Sequence, residues 1–434
     1  MMNPRTSQRC TPQLSKIALW IGFASLCISA ETWAGAFYLP SGESVSGLGR
    51  GFAGQAARGW DAGAANSNPA AMTQLESNQW VGGMVGLYPD ISLRDSGSTT
   101  LVTGSAVPSG TTTGNVTNFT GLPDFAYARK MDSESNTWLG FAFSAPFGLG
   151  IKYSPPFTGR YDAIESHLRV MDLAATLGTQ VNSWLSLGGG IHLQRADAQL
   201  ESAVVDAVRD GDIKVRGSSY AFTGQISAHI KPSQDWQLGL DYKTGASHNE
   251  KGEAFVVIPS YGISGTYGSS VRVNLPDIAT ASASYSLSPS IKLLAEARWF
   301  TWSRFHDLSI YIPSLSALSP LVRQEQYHNS YSAALGAEYA LSPAWTLRAG
   351  YMFDQTPTNP SNRSVAVPDS DRHWFGVGAS WSFMPSWVVD LTYAHIQFEP
   401  VTINRNVLST FGNVTQMTGQ PTVDMVGVAL RNAF

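Results

Sequence analysis

The chain has 434 residues, enough for two or three soluble domains or for one large barrel. Only 14% of them are charged, against about a quarter in an average globular protein, while 43% are hydrophobic, 11% aromatic and 41 are glycine. The formal net charge of −4 excludes the basic footprint of a nucleic-acid binder. Past residue 34 no run of 18 apolar residues offers a membrane-spanning helix.

Residues 1–34 read as a secretory signal. Arg5, Arg9 and Lys16 form a positive region, Ile17 to Ile28 an apolar one, and Thr32-Trp33-Ala34 a cleavage site, so the mature chain is expected to start at Gly35. The apolar run is too short for a retained anchor, and the bulky Leu26 before Cys27 argues against a lipoprotein site. Removing the signal leaves 25 basic and 31 acidic residues, a net charge of −6. Both cysteines, Cys10 and Cys27, lie in the signal, so neither a disulfide framework nor a thiolate metal site is expected.

Residues 35–78 do not alternate. They are dense in Gly, Ala, Ser and Asn, whose short side chains suit a compact coil or short helices packed inside a lumen. From residue 79 to 434 short polar turns lead repeatedly into period-two alternation. Trp236, Leu238, Leu240 and Tyr242 oppose Gln237, Gly239, Asp241 and Lys243. Trp345, Leu347, Ala349 and Tyr351 oppose Thr346, Arg348 and Gly350. One greasy face and one polar or tiny face is the signature of barrel strands in lipid, with terminal Trp and Tyr in the interfacial girdles. A soluble sandwich also alternates, but a chain this long would need several domains, and no linker appears.

Short turns at 131–137, 178–183, 231–235, 286–290, 340–344 and 382–386 give twelve strands. A first strand near Gln79 and a last one ending at Phe434 make fourteen, an even number with both ends periplasmic. The expected fold is therefore all-β: an antiparallel transmembrane barrel of 14 strands with an N-terminal plug. Polar stretches at 92–122, 197–219, 244–274 and 355–370 read as extracellular loops. Val426, Val428, Leu430 and Phe434 share one face of the last strand, and a terminal Phe there suits recognition by the barrel-insertion machinery.

Gly49-Arg50-Gly51-Phe52-Ala53-Gly54 spells a dinucleotide fingerprint but follows no strand and has no acidic partner downstream. No G-x-S-x-G, H-E-x-x-H or Walker motif occurs, and the eight histidines lack ligand spacing. His192 and His229 are expected in the lumen or girdle rather than on a metal. No cofactor, metal or catalytic residue is assigned, although a Ser, His and Asp assembled only in space would escape this reading.

Residues 35–434 resemble the FadL family of outer-membrane long-chain fatty-acid transporters. The resemblance rests on Ser46-Gly47-Leu48-Gly49-Arg50 and Asn68-Pro69-Ala70 in the plug. It rests also on Asn274-Leu275-Pro276 with Thr301-Trp302-Ser303, and on Asn362-Arg363-Ser364 followed by Val367-Pro368-Asp369-Ser370-Asp371-Arg372 and Trp374. It too implies fourteen strands, with residues 35–78 as a hatch that Asn68, Pro69 and Ala70 anchor to the wall, Pro fixing the turn. It implies a Gram-negative outer-membrane monomer, not an enzyme, surrounded by outer-membrane lipid and lipopolysaccharide. Its cargo would be a long-chain fatty acid or another hydrophobic small molecule.

The resemblance implies a route as well. The loop at 244–274 offers a first greasy surface through Phe255, Val256, Val257, Ile258 and Tyr261. Phe37 stands where the family has a ligand-contacting N-terminal Phe. Pro146, Phe147 and Gly148 interrupt a strand, because proline lacks the ladder N–H and glycine loosens the backbone, and in the family that kinked third strand opens the wall sideways. The pattern departs at Leu200, where a basic residue facing the carboxylate is expected; Arg323 is the candidate replacement charge. Uptake of monoaromatic or other neutral hydrocarbons is the alternative, since those need no counter-charge. A general porin would have an open charged eyelet rather than a plug.

Overall fold

Alternating strands can cross lipid only if every backbone N–H and C=O finds a partner, which forces the sheet to close on itself. A computed structural model of the chain describes residues 38–40, 44–100, 112–154, 157–206, 209–406 and 413–434. The expected signal, residues 1–34, and Phe37 lie outside the described residues. Fourteen strands form the wall. They are β1 (Gln79–Asp90), β2 (Thr120–Lys130), β3 (Thr137–Lys152), β4 (Glu165–Gln180), β5 (Leu185–Val204), β6 (Gly211–Ile230) and β7 (Trp236–Lys243). They continue as β8 (Ile278–Ser286), β9 (Ile291–Phe300), β10 (Ser330–Ser342), β11 (Trp345–Asp354), β12 (Arg372–Met384), β13 (Trp387–Phe398) and β14 (Thr422–Ala433). All neighbours are antiparallel, and β1 closes the ring by pairing with β14 from Gln79↔Ala433 to Asp90↔Thr422.

The six hairpin turns fall where the polar turn sequences place them, within a few residues. Side chains sort as the alternation requires. Leu240, Leu335, Phe375, Leu391 and Val428 face outward and are exposed, while Asp241, Arg298, Arg348 and Asp390 face inward and are buried. The sorting is energetic, because a charged side chain on the lipid face costs about 2–4 kcal/mol at the bilayer midplane.

The outer end differs from the sequence-based expectation in three respects. Most of 197–219 is ladder: β5 and β6 run on as a long hairpin, from Leu185↔Ile230 to Val204↔Gly211. Beyond the hydrocarbon an outward face no longer has to be apolar, so the composition turns polar while the pairing continues. The stretch 244–274 likewise holds two strands, Ser247–Ile258 and Ile263–Asn274, which lie against the extension of β6. Two further loops were not anticipated. One, 301–329, carries the short strands Asp307–Tyr311 and Leu321–Gln324. The other, 399–421, supplies Val401–Asn406 and Asn413–Gly419 to a small separate sheet with Leu93–Asp95 and Thr99–Thr100.

Residues 44–78 lie against inward-facing groups. Two single-turn helices, α1 (Val45–Leu48) and α2 (Ala64–Ser67), and a 3-10 turn at Pro69–Gln74 contact the wall from several sides. This close approach needs the glycines of the wall. A Cβ on Gly350 would sit 1.9 Å from the Arg50 carbonyl oxygen, and one on Gly178 2.0 Å from that of Pro69. Both contacts are to backbone, which cannot rotate away.

A Gly350→Val variant should therefore form a barrel whose N-terminal segment no longer seats. The expected readout is retained heat-modifiable migration in electrophoresis together with rapid protease cleavage between residues 44 and 78. Protection equal to that of the parent protein would show that the close packing does not hold the segment.

Candidate functional site

The wall has one break. β2 and β3 pair only from Lys130↔Trp138 to Phe125↔Phe143, although β2 continues down to Thr120 and β3 up to Lys152. The β3–β4 ladder slips at the same level, between Ser144 and Phe147, so Ala145 and Pro146 are bulged out. Past this point alternation is lost: every residue from Ser144 to Ile151 is buried, as the strand turns into the lumen. Proline explains the position, because Pro146 has no N–H to give to either neighbour. Pro123 stands in the facing stretch of β2 that β3 leaves unpaired.

The N-terminal segment replaces β2 along part of this edge. Tyr38 bridges antiparallel to Phe147, and Leu39 N–H donates to the Pro146 carbonyl at 2.7 Å. Aromatic packing supports the bridge. The Tyr38 ring lies 5.5 Å from Phe147 and 5.0 Å from Phe300, and Phe147 meets Trp302 edge-on at 6.2 Å. Trp302 and Tyr327 continue the chain of rings to Phe305, at 6.0 and 4.9 Å. An apolar cluster thus leads from the outer loops to the break in the wall.

Two small cavities flank this point. One is lined by Pro146, Phe147, Asp172, His192 and Leu275, the other by Tyr38, Gln55, Glu296 and Arg298; Lys243 and Ile278 line both. Each has room for little more than water. Lys243 Nζ donates to Asn66 Oδ1 of α2 at 3.2 Å. Arg298 is held by Glu296 at 2.7 Å and donates to the Tyr38 hydroxyl at 2.7 Å.

The plug is fixed by charge and by Asn68. Arg50, fully buried, donates to Gln55 at 2.6 Å and pairs with Glu338 at 3.4 Å. Glu338 also holds Arg348, which reaches Asp390, and Asp390 holds Arg431. Asn68 Nδ2 donates to the Ala56 carbonyl within the plug and to the Ala228 carbonyl of β6, while Asn68 Oδ1 accepts from Ala70 N–H. Pro69 opens the 3-10 turn, where its missing N–H costs nothing. Gly47 lies buried in α1, and Gly49 meets Gly378 of β12 where a Cβ would fall 2.9 Å from its Cα.

Two sequence-based assignments need correction. Arg323 is not a spare counter-charge: it is buried and donates to Asp162 at 2.6 Å, beside Glu325, in a network that also includes Arg405. Its strand, Leu321–Gln324, turns it inward to those acids. Phe255, Val257 and Ile258 do not form one greasy surface. They lie on a strand, so Phe255 and Val257 face outward while Val256 and Ile258 join the apolar cluster inside. Leu200 packs against that cluster. Sequence reasoning missed Lys243 and Tyr38 as cavity-lining residues; Lys243 was placed only on the polar face of its strand.

Among the described residues, His192 and His248 form polar contacts with no Ser-His-Asp order. His192 Nδ1 meets Asp172 at 2.6 Å, but its Nε2 faces Gln225. His248 meets Ser219 at 2.9 Å, yet its other nitrogen faces Gln194, and Ser219 donates to Glu250 instead. Among the described residues no cluster of His, Cys, Asp or Glu could hold a metal ion.

A family model described as outer membrane protein transport protein (OMPP1/FadL/TodX) matches residues 25–434. Outer membrane protein P1 of Haemophilus influenzae is 26% identical across 95% of this chain and 98% of its own. The long-chain fatty acid transport protein of Escherichia coli K12 is 24% identical across 90% and 93%. A FadL homologue from Pseudomonas aeruginosa has the same fold, with a TM-score of 0.83 over 92% of this chain and all of that one at 21% identity. The toluene transporter TbuX of Ralstonia pickettii gives 0.66 over 90% and 98% at 16% identity. The chain belongs to the OMPP1/FadL/TodX family of outer-membrane transport proteins.

Two outcomes follow from the charges. Glu338→Ala leaves Arg50 and Arg348 short of a buried partner, a loss of about 3–5 kcal/mol; a guanidinium unfolding midpoint equal to that of the parent would contradict it. In the outer hairpin, burial pushes the Glu250 carboxyl up to about 7, against a lowering hydrogen bond from Ser219. The folded state thus favours the neutral acid, so this contribution is complete below the ordinary value of 4.5 and is lost as pH rises through 7. His248, lowered to about 4 by burial, contributes with the opposite sign below 6.5, where the unfolded imidazole takes up a proton that the folded one refuses; above 6.5 it is neutral in both states. Proteolysis of residues 247–274, normalised to an unfolded peptide, should therefore rise between about pH 6.5 and 8, and that rise should disappear in Glu250→Gln.

Proposed function

We propose that the protein takes up long-chain fatty acids passively across the outer membrane and releases them sideways through the break between β2 and β3. The observation that carries this reading is the seating of Tyr38 and Leu39 on the unpaired edge of β3 at Phe147 and Pro146. Tyr38 lines one inner cavity, Pro146 and Phe147 line the other, and these same residues meet at the gap in the wall. Withdrawing Tyr38 and Leu39 would join cavities and gap, and nothing else in the ladder has to break. The relatives' names agree in type, since they include a long-chain fatty acid transport protein and a toluene transporter.

On this reading a ligand is gathered by apolar side chains of the outer loops and passes along the cluster of rings from Phe305 and Tyr327 to Trp302. It enters beside Lys243, whose ammonium lines both cavities and serves as counter-charge to a carboxylate. Displacement of Tyr38 then opens the way past Phe147 and Gly148 into the membrane. Residues 1–34 are the cleaved signal, residues 35–78 act as the hatch, held by Gly47, Gly49, Asn68, Pro69 and Ala70, and Phe37 is the first side chain moved. Transport draws on the concentration gradient alone. Neutral hydrocarbons are the second reading, favoured by Leu200 and by the commitment of Arg323 to Asp162.

The test is uptake of labelled oleate and of toluene by cells without a transporter of their own, carrying the parent protein, Pro146→Ala or Lys243→Met. Oleate entry that drops severalfold in both variants is the expected result. Toluene entry alone, indifferent to Lys243→Met, moves the cargo to hydrocarbons. Oleate entry unchanged in Pro146→Ala would refute the lateral route.

A further inference from the structure

Outside the barrel, charge begins abruptly above one row of residues. On the outer face of β4, β5 and β6 the row Leu173–Leu193–Phe222 is apolar, as are Ala175, Ile191, Leu177 and Ile226 below it. The next row up is Met171–Arg195–Tyr220, and the one above it pairs Arg169 with Asp197. Arg195 donates to the Tyr220 hydroxyl at 3.1 Å and to Asp197 at 3.0 Å. A tyrosine and an arginine linked just above an apolar band mark the edge of the hydrocarbon.

Three further cations stand within two residue rows of Arg195. Arg216 on β6, Lys251 on Ser247–Ile258 and Arg272 on Ile263–Asn274 are exposed and outward-facing, and they make no hydrogen bond or ion pair among the described residues. Glu253 lies opposite Arg216 in the register, and among the described residues no ion pair joins the two. Lys251 opposes Ser218 and Ser270, so the three cations descend diagonally across adjacent strands, roughly 7–8 Å apart at each step. Within these rows the five cations stand with the acids Asp197 and Glu253; one row higher Glu165 and Glu201 are taken up by Lys152 and Lys214, and Asp307 lies diagonal to Arg272 beside His306. The rim of β12, β13 and β14 differs, presenting His373, His395, Glu399 and Asp424. The positive sector is therefore local.

We propose that this sector binds the phosphorylated sugar headgroup of an outer-leaflet glycolipid of the lipid A type. Charge complementarity and height select the occupant. Its phosphates lie just outside the hydrocarbon, where Arg216, Lys251 and Arg272 have no protein partner, and its acyl chains lie on the band of Leu173, Ile191, Phe222 and Ile226. Arg195, oriented by Asp197 and Tyr220, sits at the junction of the two. Because Arg169 opposes Gly148 across the β3–β4 ladder, the bound lipid stands one strand away from the break in the wall.

The experiment measures binding of bisphosphorylated and of fully dephosphorylated lipid A to the purified full-length barrel in detergent by native mass spectrometry. Two proteins are compared with the parent: the triple variant R216S/K251S/R272S and the single charge reversal Lys251→Glu, which alters one exposed side chain outside the fourteen strands. The parent should bind the phosphorylated lipid at least tenfold more tightly than the dephosphorylated one, and both variants should lose affinity while keeping heat-modifiable migration. If the triple variant does not fold, loss in Lys251→Glu alone carries the result. Equal affinity for the two lipids, or no loss in a folded variant, would overturn the proposal and leave a solvated charged rim.

Discussion

The structure depends on one constraint, that backbone polar groups in a membrane wall must be paired. Thirteen of the fourteen interstrand seams meet it along the strands' facing lengths, apart from local bulges. The fourteenth, between β2 and β3, meets it only as far as Phe125↔Phe143. Above that level β3 carries a proline whose nitrogen has nothing to donate, and its remaining groups turn toward the lumen. There the N-terminal segment supplies a partner, the Leu39 N–H on the Pro146 carbonyl. A break in the barrel is thus tolerated where a plug stands behind it.

The plug in turn needs a reason to stay. Its helices are single turns with little stability of their own. They are held by backbone contacts over wall glycines, by Asn68 bonded to the wall, and by Arg50 inside a ring of opposed charges. These charges would be costly facing lipid. Facing inward they satisfy one another, since Glu338 serves both Arg50 and Arg348, and Asp390 serves both Arg348 and Arg431. Such shared pairs are weak evidence for high stability, but breaking one partner is expensive. That asymmetry suits a plug that keeps its place inside the wall.

Alternation made the barrel legible, and the reason is chemical: lipid outside and a packed lumen inside impose opposite demands on successive residues. The hairpin turns, the inward charges and the proline break could be read directly. Where the strands leave the hydrocarbon, that demand lapses. The extensions of β5 and β6 consequently looked like loops, although their ladder continues to Val204 and Gly211. The greasy run at Phe255 to Ile258 misled in the opposite sense, since on a strand it divides between two faces.

By itself, then, the sequence determined the number of strands, the face each residue shows to lipid, the plug's small side chains and the point at which β3 breaks. These follow from local period and from backbone chemistry. Tertiary structure alone decided which charges meet. Arg323 lies 161 residues from Asp162 and is spent on it, while Lys243 comes to rest between two cavities beside Asn66, 177 residues earlier. It also decided that Tyr38 takes the place β2 vacates. Contacts of that kind depend on how the closed wall folds around the plug, and nothing in the local pattern encodes them.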